Sequence, residues 1–156
     1  MAEAADEATA YHEAGHAVMA LALGRPVAGV SVRARRENLG LCEFGKAVFR
    51  PTEDWLEREA LISLAGLAAE ALHTGEYSWE GAAKDLDYAG DLARQRAGGR
   101  KAERLLKRLL SKAEHLLNRP ENWRAVERLA AELLRLGEVS GRAARHLFDE
   151  CRRAEE

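Results

Sequence analysis

At 156 residues and a net charge of −2, the chain is long enough for one domain with a real core and leaves little room for a second. Apolar residues make up 47% and charged residues 32%, aromatics only 6%, and Ala, Leu, Glu and Arg dominate, a composition that favours helix over sheet. No apolar run approaches the roughly 18 residues needed to span a membrane, which excludes a transmembrane role for this sequence, and residues 1–24 carry four acids but no Lys or Arg, which points away from a signal peptide.

The first segment, Glu3 to Leu23, is Ala-rich, with Ala8, Tyr11, Gly15, Val18 and Ala22 near helical spacing, and Gly24-Arg25-Pro26 stops it. Val27 to Arg33 then alternates, with β-branched Val27, Val30 and Val32 suiting a strand. Arg35 to Asn38 reads as a turn, and Leu41 to Phe49 as a returning second strand. Pro51-Thr52 opens a long helix that Thr52 can cap, with Glu53 and Asp54 in its electropositive first turn and apolar residues from Trp55 to Leu72. After Thr74-Gly75 and a short loop with Tyr77 and Trp79, residues 82–97 read as helix again. Gly98-Gly99 interrupts it, and leucines from Leu105 to Leu117 mark the next helix. Further helices are predicted over Glu121 to Leu136 and Ser140 to Cys151, separated by Gly137. The expected fold is mainly α: a helical bundle with one small β hairpin, a single domain over 1–156 whose C-terminal helices begin at residue 98.

Charge is uneven along the chain. Residues 1–91 hold 16 acids and 8 bases, whereas residues 92–119 hold 9 bases and 2 acids. The basic run has helical periodicity and no aromatic residue to stack on bases, so it reads as a solvated helix face near the acidic half rather than a nucleic-acid surface. Cys42 and Cys151 are far apart in sequence and form no CxxC pair, as suits thiols of a cytoplasmic protein.

The chemistry is concentrated in His12-Glu13-Ala14-Gly15-His16, an HExxH motif within the first predicted helix. Positions i and i+4 lie one above the other on a helix, so two imidazoles there can reach one zinc ion. Glu13, one residue round, can reach a water beside the metal without ligating it and accept its proton during attack on a carbonyl. Small Ala14 and Gly15 let another layer of structure come close. A catalytic zinc site needs a third protein ligand. The longer HExxHxxGxxH pattern is absent, because Met19 and Ala22 stand in the Gly and His places, and a ligand about 20 residues on would fall at Glu37 in the Arg-rich loop. Glu70, His73, Asp85, Asp87 and Asp91, on later helices, are the better candidates, and spacing does not choose among them.

The chain resembles the protease domain of the FtsH-type membrane-bound AAA zinc peptidases. Tyr11 to Ala17 is similar to that family's zinc helix, and Val27 to Leu41 to its following strand and loop. Ala65-Gly66-Leu67-Ala68-Ala69-Glu70 is similar to its Gly-Gly-Arg-Ala-Ala-Glu-Glu helix, Gly81 to Leu86 to its Gly-Ala-Ser-Asn-Asp-Ile segment, and residues 121–147 to its C-terminal helices. The resemblance implies a zinc cofactor held by His12, His16 and Asp85, with Glu13 as general base and Glu70 orienting a ligand. Asp85 then sits in the first turn of its helix, whose amides keep a carboxylate ionised, and Asp87, about 200° round, cannot share its face.

Two departures carry weight. The family's Asn before the ligand Asp is Lys84 here, and the segment that helps build the family's ring is shortened to Gln95 through Lys101. With Met1 only 11 residues before His12, the expectation is a peptidase without its own ATPase module, acting on loose, extended polypeptide or fed by a separate motor. A homo-oligomer is compatible with this, nucleic-acid binding is not favoured, and the Val27–Arg33 strand is expected to pair with substrate. The alternative function is a non-catalytic FtsH-like binding or assembly module, against which the intact His12, Glu13, His16 and Asp85 argue.

Overall fold

The computed structural model describes residues 6–33, 40–46 and 54–154. Among them are five helices and three strands in the order α1 (Glu7–Ala22), β1 (Val27–Ser31), β2 (Leu41–Phe44), α2 (Trp55–Thr74), α3 (Ala83–Leu117), α4 (Pro120–Leu136), β3 (Glu138–Ser140) and α5 (Gly141–Arg153). The fold is mainly α, as the composition implies. None of the described helices is long and apolar enough to cross a membrane.

Helix α1 starts where Asp6 accepts a hydrogen bond from the Ala8 amide at 3.0 Å, and past its C-cap Leu23 the chain turns at Gly24, whose φ of 84° suits a residue without Cβ. It is buried continuously from Glu13 to Leu21, because α2, α4 and the sheet all pack on it. Its closest neighbour is α2. A Cβ added at Gly15 would stand 2.5 Å from Ala69 Cβ and 2.6 Å from the Ala65 carbonyl oxygen, so only glycine permits this approach. Helix α2 is itself buried from Arg58 to Ala69 and ends at Gly75 in a left-handed turn. One apolar core runs from α1 and α2 through Leu109, Leu117, Val126, Leu129 and Leu133 to Phe148 and Cys151, joining residues on both sides of position 98.

The hairpin is part of a three-stranded antiparallel sheet ordered β2-β1-β3. Val30 pairs with Cys42 on one side and Val139 on the other, so both edges of β1 are occupied. This corrects the expectation that the Val27–Arg33 strand pairs with substrate, since its backbone groups already have partners. The third strand escapes sequence detection because three residues are too few to show alternation.

Helix boundaries differ in detail. Asp54 caps α2, accepting from the Glu57 amide at 3.1 Å; the expected cap Thr52 lies outside the described residues, as do Glu37 and the turn at Arg35 to Asn38. The interruption at Gly98 is a kink inside α3, with φ 75° and ψ 170°. Ser140 caps α5, accepting from the Ala143 amide at 3.1 Å. The basic stretch does face the acidic half: Arg96 pairs with Asp54 at 2.6 Å and Lys112 with Glu57 at 3.1 Å.

The fork from Arg96 onto Asp54 holds that carboxyl down at about 2, against 3.8 ordinarily. A depressed folded-state pKa gives stability that is complete above the unfolded value and lost as pH falls through the folded one. Asp54→Ala is therefore expected to cost about 1 kcal/mol near neutral pH. Most of this comes from the lost cap, because the ion pair is solvent-screened. Urea denaturation at pH 7 and near pH 2 checks this, with the deficit narrowing at the acid end by the ionisation-linked part alone.

Candidate metal centre

His12 and His16 project from the face of α1 that meets α2, and the rest of the site is laid out along α2 in helical steps. The Nδ1–H of His16 donates to the Ile62 carbonyl at 2.7 Å, and the Nδ1–H of His12 donates to Glu70 Oε2 at 3.1 Å. These two bonds fix the ring orientations and turn both Nε2 atoms outward. Both meet one oxygen, Asp85 Oδ2, at 3.0 Å from His12 and 3.1 Å from His16. Gly66 lies directly beneath, where a Cβ would come within 2.5 Å of His16 Nε2 and 2.6 Å of His12 Nε2.

Asp85 arrives from the first turn of α3, which packs against α2. Of the five candidates open in the sequence, the structure brings Asp85 to the imidazole pair and Glu70 to the back of His12. The others lie elsewhere. His73 stacks on Tyr11 with ring centroids 3.7 Å apart and pairs with Glu7 at 3.1 Å; Asp91 is exposed and pairs with Arg94; Asp87 is exposed. Glu37 lies outside the described residues.

The electrostatics follow from burial and close contact. Burial pulls the His12 imidazole down, yet its bonds to Asp85 and Glu70 outweigh that and push it up to about 10. His16 is also raised, with burial opposed mainly by Asp85. Burial lifts the Asp85 carboxyl, but the two imidazoles more than offset this and hold it well below the usual carboxylate range. Glu13, only 6% exposed, is pushed up by burial, with His16 and His12 opposing. A cluster that binds protons so firmly offers the same lone pairs to a divalent cation, which must displace them.

The donor set fits zinc. Two imidazole nitrogens and one carboxylate oxygen are the ligands a catalytic zinc site uses, and ligand atoms of His12, Glu13 and His16 lie within 4.8 Å of one another. The space beside the ring nitrogens exists because residue 66 has no side chain. Around the site is a cavity of about 680 Å³, lined by Thr9, Gly40, Leu41 and Cys42 on one side and by Ser63, Lys84 and Tyr88 on another. Gly40 backs directly onto Glu13, 2.8 Å from its Cγ to where a Cβ would stand. Lys84 is exposed and lines the same cavity. Sequence reasoning missed the contacts of the Ile62 carbonyl with His16 and of the Ser63 hydroxyl, which donates to the Asp85 carbonyl at 2.8 Å; neither carries a recognisable signal in a buried helix.

The family profile described as Peptidase family M41 matches residues 1–99, and the chain belongs to that family. It is similar to the ATP-dependent zinc metalloprotease FtsH of Pseudomonas putida, 39% identical over 98 residues that cover 57% of this chain and 15% of that protein. It is also similar to the protein of the same name from Magnetococcus marinus, 40% identical over 56% of this chain and 13% of that one. The FtsH 1 of Sorangium cellulosum is 42% identical over 55% and 14%, respectively. The aligned part of the chain thus spans 13–15% of the length of these relatives. Membership of a metallopeptidase family agrees with the FtsH-type resemblance read from the zinc helix and its anchors.

Gly66→Ala is the sharpest test of the geometry. Alanine favours the helix by about 1 kcal/mol over glycine, so α2 should persist while the added methyl drives both Nε2 atoms apart. Bound zinc per chain, measured by elemental analysis, is expected to fall by more than half with the helical circular dichroism signal retained.

Proposed function

We propose that this chain is a zinc-dependent metallopeptidase that hydrolyses peptide bonds of unfolded or extended polypeptide, without ATP hydrolysis of its own. The observation that carries the proposal is the meeting of His12 Nε2 and His16 Nε2 at one Asp85 oxygen, over a glycine and beside buried Glu13, in a cavity open to substrate. In this reading His12, His16 and Asp85 hold the metal, Glu70 and the Ile62 carbonyl orient the two imidazoles, and Glu13 is the general base. Zinc, when bound, supplies Lewis acidity that polarises a carbonyl and makes water a better nucleophile.

The chain's own groups account for the proton traffic. Glu13 takes a proton from the attacking water as its oxygen bonds to the scissile carbonyl carbon, and returns it to the amine nitrogen as the C–N bond breaks. Burial raises the Glu13 carboxyl above its ordinary value, which makes it a stronger base than an exposed carboxylate. Amide hydrolysis consumes only water. ATP serves to unfold and deliver a folded substrate, which a separate motor would do.

Strand β2 suits an extended substrate, being at the sheet edge with Leu41, Cys42 and Phe44 lining the cavity. We further propose a cytoplasmic setting, with Cys42 and Cys151 as buried free thiols, and a single unit over residues 1–156 that is able to self-associate.

Glu13→Gln is expected to retain zinc and fold while hydrolysis of an unfolded casein-type substrate falls on the order of 100-fold. Retained hydrolysis would remove Glu13 from the mechanism, and wild type with zinc but no turnover would favour the non-catalytic binding module. Cleavage by the wild type is also expected to stop with a chelator, return with zinc, and proceed equally with or without ATP. Cleavage that ignores the chelator would overturn the metallopeptidase reading.

A further inference from the structure

The first turn of α3 carries Asp85, and that helix starts without a side-chain cap. Its N-cap position is Ala82, which makes no side-chain cap hydrogen bond, and the preceding residues Tyr77 to Gly81 are largely exposed. A helix start without a side-chain cap leaves its first amides short of intrahelical partners and frays more readily than a capped one. A carboxylate held there would drift relative to two imidazoles fixed on α1.

Ser63 supplies a tie to that turn from a neighbouring helix. It lies in the middle of α2, 8% exposed, between Ile62 and Leu64, which are buried. A serine in a helix interior ordinarily bonds back to a carbonyl of its own helix. Here the hydroxyl instead donates across to the backbone carbonyl of Asp85 at 2.8 Å. The acceptor belongs to the same residue as the carboxylate that meets His12 and His16. Ser63 also stands one turn before Gly66 and two turns before Glu70, on the stripe of α2 that faces the site.

We infer that Ser63 is a positioning residue for the metal centre, its hydroxyl holding the α3 first turn so that the Asp85 carboxylate stays on the two imidazoles. The inference rests on Asp85 as a ligand. Metal–ligand distances tolerate only about 0.2 Å, so a loosened turn reads directly as lost affinity. Partners that orient ligands in this way are worth on the order of 10–100-fold in metal affinity.

The test uses the full chain and two metals. For Ser63→Ala we expect zinc affinity, by chelator competition, to fall about 10-fold. Amide exchange should quicken over Ala83 to Asp87 and stay unchanged in α1. The visible absorption band of the cobalt(II)-loaded protein should shift, which a general loss of stability would not cause. Ser63→Thr, which keeps the hydroxyl, is expected to retain the wild-type cobalt spectrum. Wild-type zinc affinity and an unshifted cobalt band in Ser63→Ala would overturn the inference. Asp85→Ala is run alongside: unchanged zinc affinity there would instead remove the ligand assignment beneath it.

Discussion

Everything at the centre depends on how closely α1 and α2 approach. Gly15 lies against Ala65 and Ala69, with no room for a methyl group, and one turn away Gly66 lies against the rings of His12 and His16. Each helix contributes a glycine to the other's side chains, so the contact is reciprocal. Widening it would cost packing along a core of small residues and would also withdraw Ile62 and Glu70 from the imidazoles they orient. Fold stability and site geometry are in this sense one interaction.

Charge at the centre is arranged around that contact. Three carboxylates, Glu13, Glu70 and Asp85, surround two imidazoles in a half-buried cavity. Mutual neutralisation among them is what lets so many ionisable groups sit together. The roles diverge because the environments do. Asp85 shares both rings and is held ionised, whereas Glu13 makes no direct bond to either ring and is lifted by burial. Two carboxylates a short distance apart are thereby shifted in opposite directions.

Helices with long apolar stripes and clear stops were legible in the sequence: α1 through Gly24, α4 through Gly137, and the break at Gly98 all stand where glycine or apolar spacing puts them. What spacing does not encode is which elements meet. Strand β3 is visible only as the partner of β1, so β1 read as an edge when it is central. Likewise Asp54 read as a first-turn acid, and only the helix path makes it the cap. At the site, His12 and His16 are separated by one turn and declare themselves. Asp85 is 69 residues from His16 and reaches it through the packing of α3 on α2, so periodicity left it among five candidates. Ser63 is a polar residue in an apolar run, and nothing local distinguishes a tie to another helix from an ordinary back-bond.

Helix α2 behaves as a graduated rule. The Ile62 carbonyl, the Ser63 hydroxyl, the bare Gly66 backbone and the Glu70 carboxylate are marks on one edge of it, each aligned with a different neighbour. Each residue inserted or deleted between positions 62 and 70 would turn the later marks by about 100° and slide them about 1.5 Å. No single side-chain replacement elsewhere could restore all four alignments together. A length change is thus expected to be tolerated only outside that interval, such as after Gly75, whereas residue identity within it is freer than its length.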